Sequence, residues 1–380
     1  MAPQPDKYSE TFIRDQVEGL PGEVEFLYGG RMPSASDRGL PPTYPSVRLL
    51  GRAASRVTGR SAQALCEGLV RRLPGLSHRD GLVRYLSASG FDVVLAHYGQ
   101  TGVVMSEICR AAGVPLVVHF HGYDAYRKDV LARWGEAYGR VLGRASAVVA
   151  VSRDMMGQLR GLGVPEDVLH FRPYGVDVEA FTRSGSGRAD GPPRALAVGR
   201  FVEKKAPHLT ILAFREAAAV APSAELHMLG DGPLLDACRT LADAVGLDDR
   251  VEFHGAVPHD RVREWMARAH CFVQHSVVAP DGDSEGTPVA LLEAAASGLP
   301  IVATRHAGID DVLEDGVSGR LVDEGDIEGM GEALREVFAD PDAAGRMGRA
   351  ARRRVRDDYS KPDAIRGLYR ILRGAARSGA

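Results

Sequence analysis

Short apolar, β-branched runs alternate with longer stretches rich in Ala, Leu and Arg along most of this chain. That alternation is the pattern of βαβ units, because strands covered by helices on both faces read as unbroken apolar runs. In the first half it predicts strands near Val24–Tyr28, Asp92–His97, Leu116–His119, Ala147–Val151 and Val168–Phe171. In the second half it predicts strands near Ala195–Gly199, Glu225–Leu229, Val251–His254, Cys271–His275 and Pro300–Ala303. Ser184–Pro193 (SGSGRADGPP) separates the two sets with Gly, Ser and Pro, which cannot support a packed element. The pattern predicts an α/β protein of two doubly wound, Rossmann-like domains, 1–175 and 176–357. Both ends depart from it. The chain opens on polar MAPQPDKYSE and runs straight into a helix-like TFIRDQVEGL, so the usual first strand is missing or reduced to a stub. Tyr359–Arg373 reads as a helix with an apolar face, and residues 358–380 are placed to cross back and complete the first domain.

A length of 380 residues exceeds one ordinary core and agrees with two domains. The composition, 44% hydrophobic and 26% charged, is that of a globular protein, and a net charge of −3 gives no general attraction to nucleic acid. Cys66, Cys109, Cys238 and Cys271 are scattered without metal-ligand spacing, which favours a reduced compartment. No apolar run approaches the roughly 20 residues of a spanning helix, and no signal-peptide core opens the chain. The expected location is cytoplasmic. The 48–84 region, with Arg52, Arg56, Arg60, Arg71, Arg72 and Arg79, reads either as a solvated face or as a basic surface for anionic lipid.

Candidate chemistry concentrates in Asp283–Ala303, DSEGTPVALLEAAASGLPIVA. Thr287 suits a helix cap, Pro288 the first turn, and Gly298 the C-terminal stop. Glu293 lies among Val289, Ala and Leu, where an ionised carboxylate is costly unless hydrogen-bonded. Glu285 precedes it by eight positions on a Gly-containing loop, and free N–H groups at the helix start attract an anion. The bland alternative is a capping carboxylate plus a snorkelling helix glutamate. A second segment, Val198–Pro207 (VGRFVEKKAP), places Gly199-Arg200 at a strand end and Lys204-Lys205 on the next loop. Two cations there can converge on a diphosphate, with Lys204 an alternative to Lys205. A third, HFHGYD, puts His121, Gly122 and Asp124 at the C-terminal end of a strand, where open α/β sheets bind ligands.

Glu285 and Glu293 reproduce the E-x7-E signature of retaining family 4 glycosyltransferases of the GT-B fold, and the chain resembles that family along nearly its whole length. The resemblance implies two facing domains with a donor cleft between them. It implies that Arg200 and Lys205 bind the donor diphosphate, that His121 reaches the sugar, and that Glu285 and Glu293 hold sugar and ribose hydroxyls. Gly122, Asp124, Gly199, Gly286, Thr287, Pro288 and Val289 fall in donor-binding segments. Gly230 and Gly232 (GDGP) match a Gly-rich turn beside the nucleotide, or form an ordinary tight turn. Val257 (HGAV) matches the segment lining the base. Ser9, Glu10 and Thr11 (SETFI) are similar to an acceptor or phosphate loop of exopolysaccharide enzymes. Gly286-Thr287-Pro288 departs from the common G-F-G and removes one N–H, and Pro173-Tyr174-Gly175 departs from P-N-G at the interdomain crossing.

Asp281-Gly282-Asp283 looks like a cation-binding D-x-D but stands inside the E-x7-E context, so it reads as a polar loop with no metal. The implied substrates are a nucleoside diphosphate sugar and a hydroxyl-bearing acceptor, either a polysaccharide or lipid-linked saccharide or a small natural product, with no cofactor. The alternatives are an idle sugar-nucleotide-binding subunit, a sugar-phosphate synthase or an epimerase. No G-x-G-x-x-G opens a helix after a first strand, which argues against a dehydrogenase.

Overall fold

The computed structural model describes residues 1, 11–38, 77–181 and 191–378. Two parallel sheets organise the chain. The first contains β3 (Val94–His97), β4 (Leu116–His119), β5 (Ala147–Ala150) and β6 (Leu169–Phe171) in the order β3-β4-β5-β6. The second contains β7 (Arg194–Val198), β8 (Glu225–Leu229), β9 (Val251–Gly255), β10 (Cys271–Gln274), β11 (Ile301–Thr304) and β12 (Arg320–Val322). Its order is β12-β11-β10-β7-β8-β9. A two-residue hairpin, β1 (Leu27–Tyr28) with β2 (Ala35–Ser36), stands apart.

Nine of the ten expected strands are thus present in the parallel sheets. The expected strand Val24–Tyr28 instead forms β1, because Asp37 and Ser36 draw the backbone of Phe26 and the Glu25 carboxylate into an antiparallel turn. The short β12 carries too little apolar run to signal itself. Strands β4, β5, β10 and β11 are buried throughout, as central parallel strands covered on both faces must be. On the edge of β3, Met1 makes ladder-like bonds: its amino group donates to Leu95 O at 2.7 Å, and its carbonyl accepts from His97 N at 2.9 Å.

Helix ends follow local chemistry. Ser77 and Asp80 form a reciprocal capping box for His78–Ala88, and Ser152 accepts from Met155 N at the start of Arg153–Gly161. The Ala/Leu-rich helix Pro207–Ala218 packs against Ile327–Ala339, so apolar side chains of both helices join one core with β7, β8 and β10. The final helix, Lys361–Ser378, turns back to the first sheet. Leu368, Leu372 and Ala375 pack on Val117, Ala147 and Val149, and Val176 bridges Ser360 where the chain crosses.

In the second sheet, β7 lies between β10 and β8, so connections leave in opposite directions on either side of the β7/β10 boundary. Open α/β sheets bind ligands in the crevice outside such a switch point. The loops after β7 and β10 carry Arg200, Lys205 and Glu285. Among the described residues no helix is long and apolar enough to cross a membrane. Six of the arginines considered for lipid contact or lying beside them, from Arg48 to Arg72, fall outside the described residues, as does most of the 184–193 linker.

Candidate active site

The loop after β10 meets the loops after β4 and β5 across the cleft. Gly122, at φ +141, ends the β4 loop with its Cα beside the backbone of the opposing loop. A Cβ built there lies 3.4 Å from Ser284 O and 3.7 Å from Gly286 N. Gly286 has no room for a side chain, since a Cβ would stand 2.6 Å from Val151 Cγ2 and 2.9 Å from His121 O. Two glycines therefore let the backbones of the two halves touch. A Thr287 hydroxyl bond to Val151 O seals the contact. Thr287 accordingly does not cap the helix Val289–Ala296. Pro288 occupies the cap position and its carbonyl accepts from Leu291 and Leu292 N. The side chain expected to cap is used instead to join the halves, while Gly298 does adopt the left-handed stop.

Asp124 is the buried support for His121. One carboxylate oxygen accepts from His121 N and Gly122 N, the other from Gly99 N, all at 3.0 Å. Burial raises its pKa to about 6, against the lowering effect of these N–H groups. Both oxygens are engaged beneath the turn, which makes Asp124 a positioning group. The His121 ring is hydrogen-bonded through Nδ1 to Tyr174 OH at 2.6 Å and through Nε2 to His97 Nδ1 at 3.0 Å. Phe12 stacks near both His121 and Tyr174, with ring centroids 4.7 and 4.3 Å away. Phe12 sits on the helix Thr11–Gly19, which Thr11 begins, whereas Ser9 and Glu10 lie outside the described residues.

The two lysines are separated by function. Lys204 is buried and donates to Asp283 Oδ1 at 3.0 Å and Ser284 O at 2.9 Å, so it pins the loop. Lys205 faces Glu285, with Nζ 3.1 Å from Oε1. Burial acts to raise the Glu285 pKa, but Lys205 and Lys204 outweigh it and hold the carboxyl at about 2. Burial pushes the Lys205 pKa down, partly offset by Glu285. Glu285 Oε1 is buried, and the Lys205 ammonium is its one partner among the described residues. A charged, dry oxygen with open acceptor capacity is a poor structural element and a good ligand contact. Arg200 is exposed at the end of β7, with no ion pair among the described residues.

The Gly230–Pro233 turn holds that Arg200 loop. A Cβ on Gly230 would sit 1.9 Å from Gly199 O, and one on Gly232 would sit 2.5 Å from Phe201 O. Phe201 N donates to Asp231 O and Gly199 N to Leu229 O, both at 2.9 Å. Val257, half-buried, follows β9 on the same side of the sheet. Of the Asp281/Asp283 pair, Asp283 is paired with Lys204, while Asp281 is 3.7 Å from Arg127, whose nearer partner is Asp129 at 2.8 Å.

Several site residues gave no sequence signal. Glu293 is buried, and its charge is met by His259 Nε2 at 2.7 Å. That bond, ahead of the opposing effect of burial, raises the His259 pKa. His306 accepts from Glu285 N at 3.2 Å through Nε2, which places the proton on Nδ1, bonded to Glu324. Gly308 N donates to Gly286 O, so the β11 loop also braces the motif. These contacts join segments distant in sequence, and only the R-H-A-G turn after β11 offered a local cue. The clamp lies in a tight space: the void beside Gly199, Arg200 and Lys205 is about 30 Å³, whereas a cavity of about 690 Å³ lies beside Met1 and the edge of β3. The convergent charged groups lie beside the smaller void, not the larger one.

Comparison with known proteins agrees with this geometry. Residues 178–354 match the model of glycosyl transferases group 1, and residues 36–175 match the glycosyl transferase 4-like domain. WcaL of Salmonella typhimurium, a glycosyltransferase named for colanic acid biosynthesis, is 33% identical over 285 residues, covering 74% of this chain and 70% of that protein. The amylovoran biosynthesis glycosyltransferase AmsK of Erwinia amylovora is 30% identical over 283 residues, covering 74% and 70%. Among solved structures, HepE of Anabaena in complex with UDP and glucose superposes with a TM-score of 0.69 at 18% identity, covering 88% of this chain and 97% of that one.

Proposed function

The chain belongs to the family 4-like, group 1 glycosyltransferases and has their GT-B fold, and from that premise we propose that it is a retaining enzyme of polysaccharide or lipid-linked saccharide assembly. Transfer from a nucleotide sugar is the family's reaction. The relatives named for colanic acid and amylovoran synthesis support a growing saccharide as acceptor. The observation that carries the residue roles is the Lys205–Glu285 pair beside exposed Arg200 at the switch point.

Arg200 and Lys205 bind the diphosphate and stabilise the charge that develops as it leaves, joined by N–H groups at the start of Val289–Ala296. Glu285, kept ionised, accepts from sugar hydroxyls, and His121 reaches the sugar from the opposite wall. Glu293 holds the ribose hydroxyls at the far side of the same helix. Departure of the diphosphate leaves its oxygen able to take the acceptor proton, so no protein base is needed. No metal ion is required, which agrees with Lys204 occupying Asp283. Residues 1–175 with 358–380 form the acceptor-side unit and 176–357 the donor-side unit. Closure excludes water that would otherwise hydrolyse the donor.

Calorimetry of nucleoside diphosphates against the Arg200→Ala/Lys205→Ala protein tests the clamp. Loss of two charge-assisted contacts should weaken binding about a hundredfold or more. Circular dichroism of the same sample checks the fold. Unchanged affinity in a folded variant overturns the assignment.

A further inference from the structure

The donor-side wall of the first sheet carries a second arrangement that sugar transfer does not use. His97 ends β3 and His119 ends β4, and the two are register partners in the parallel ladder. His121 follows two residues later, on the same side of the chain. One ring nitrogen from each lies within 4.8 Å of the other two. His97 and His119 are almost wholly buried, at 2% and 1% exposure. Both nitrogens of His119 are buried without a hydrogen-bond partner among the described residues. An imidazole with two unanswered nitrogens costs free energy in a dry site, unless a ligand answers one of them.

We propose that His97, His119 and His121 form a binding site for a divalent transition-metal ion of the zinc class, and that an ion there takes His121 away from the donor sugar. The binding half stands on the cluster alone; the inhibitory half rests on the role given to His121 above.

Two features fit such an ion. Zinc bonds to imidazole nitrogen at about 2.0 Å in tetrahedral sites, which separates ligand nitrogens by about 3.3 Å. His121 Nε2 and His97 Nδ1 are already 3.0 Å apart, so small ring rotations that bring in His119 complete a three-nitrogen face. Metal-ligating histidines bond an oxygen through the nitrogen that does not ligate, and Tyr174 OH stands 2.6 Å from His121 Nδ1 in that position. This is a site for inhibition and not a catalytic metal: an ion on His121 Nε2 would hold the ring against His97 and His119 and away from the sugar.

Cobalt(II) titration of untagged, EDTA-stripped full-length protein tests the binding half, because a three-imidazole cobalt site absorbs visibly without any substrate. One equivalent should bind, and one equivalent of Zn²⁺ should displace it. His119→Phe should abolish the spectrum, and Tyr174→Phe, which leaves all three ligands, should weaken affinity by about tenfold or more. His227→Phe, in the separate cluster His227, Glu252 and His254, should change nothing. Absence of a spectrum, or one that survives both His119→Phe and His97→Phe, overturns the site. So does loss of the spectrum in His227→Phe. For the inhibitory half, one equivalent of Zn²⁺ should suppress transfer or donor hydrolysis, and EDTA should restore it. Zinc bound at the three histidines with turnover unaffected overturns that half while leaving the site.

Discussion

Glu285 and Glu293 belong to one motif, yet their surroundings make them fail differently. Glu285 shares a dry site with Lys205, and Glu293 is answered by His259. Glu293→Gln should weaken both free nucleoside diphosphate and intact donor, because contacts to a charged acceptor carry about 1.5–3 kcal/mol each. Glu285→Gln should leave nucleoside diphosphate affinity unchanged or increase it, since Lys205 is released from its partner. Turnover should fall steeply, because a misplaced anomeric carbon spoils attack geometry. Paired titrations of nucleotide and donor with turnover distinguish these outcomes; loss of nucleotide binding in Glu285→Gln alone reverses the roles. The same variant has a pH signature. The folded pKa of Glu285 is depressed to about 2, so its stabilising contribution is present above the ordinary carboxylate range and is lost as pH falls toward 2. The difference in melting temperature between wild type and Glu285→Gln should therefore narrow on acidification below about pH 4.

At the scale of elements, the site depends on turns that approach one another at backbone distance. Gly230 and Gly246 both have positive φ, +140 and +72, but only Gly230 meets another backbone where its Cβ would be. Gly246→Ala should cost about 1 kcal/mol, from left-handed strain in open space. Gly230→Ala adds a collision with Gly199 O and must displace the loop bearing Arg200. Denaturant unfolding should show the larger loss for Gly230→Ala, and calorimetry should show weaker nucleoside diphosphate binding only in that variant. Equal effects on stability and no effect on binding would mean that the GDGP turn is an ordinary one.

For the whole molecule, the final helix is the element that ties the two halves. Its apolar face covers Val117, Ala147 and Val149, and Lys361 pairs with Asp15. Deleting residues after Asp358 uncovers that sheet face and removes the bridge to Val176. Thermal unfolding should then resolve into two transitions, the lower from the first unit, while nucleoside diphosphate continues to protect the 191–354 region from protease. A single transition at the wild-type temperature would show that the helix contributes little.

Much of this protein was legible in sequence because its determinants are local. Strand runs such as Leu116–His119, the apolar helix enclosing Glu293, and Gly298 as its stop follow from periodicity and backbone preference. The paired Glu285/Glu293 spacing and the Arg200 and Lys205 positions are likewise local signatures. The exceptions have identifiable causes. Val24–Tyr28 has strand composition, but the nearby Ser36 and Asp37 offered it an antiparallel partner. Thr287 looked like a cap, yet Val151 O across the cleft was the available acceptor. Lys204 and Lys205 are indistinguishable in sequence, and only the fold turned one toward Asp283 and the other toward Glu285. The supports of the site, His259, His306, Tyr174 and Phe12, reach it from segments far along the chain. Local sequence determines the elements and the chemistry they carry, because propensity and periodicity act over a few residues. Tertiary structure alone decided which charge meets which and brought His97, His119 and His121 to one point, because electrostatics and burial depend on distance in space.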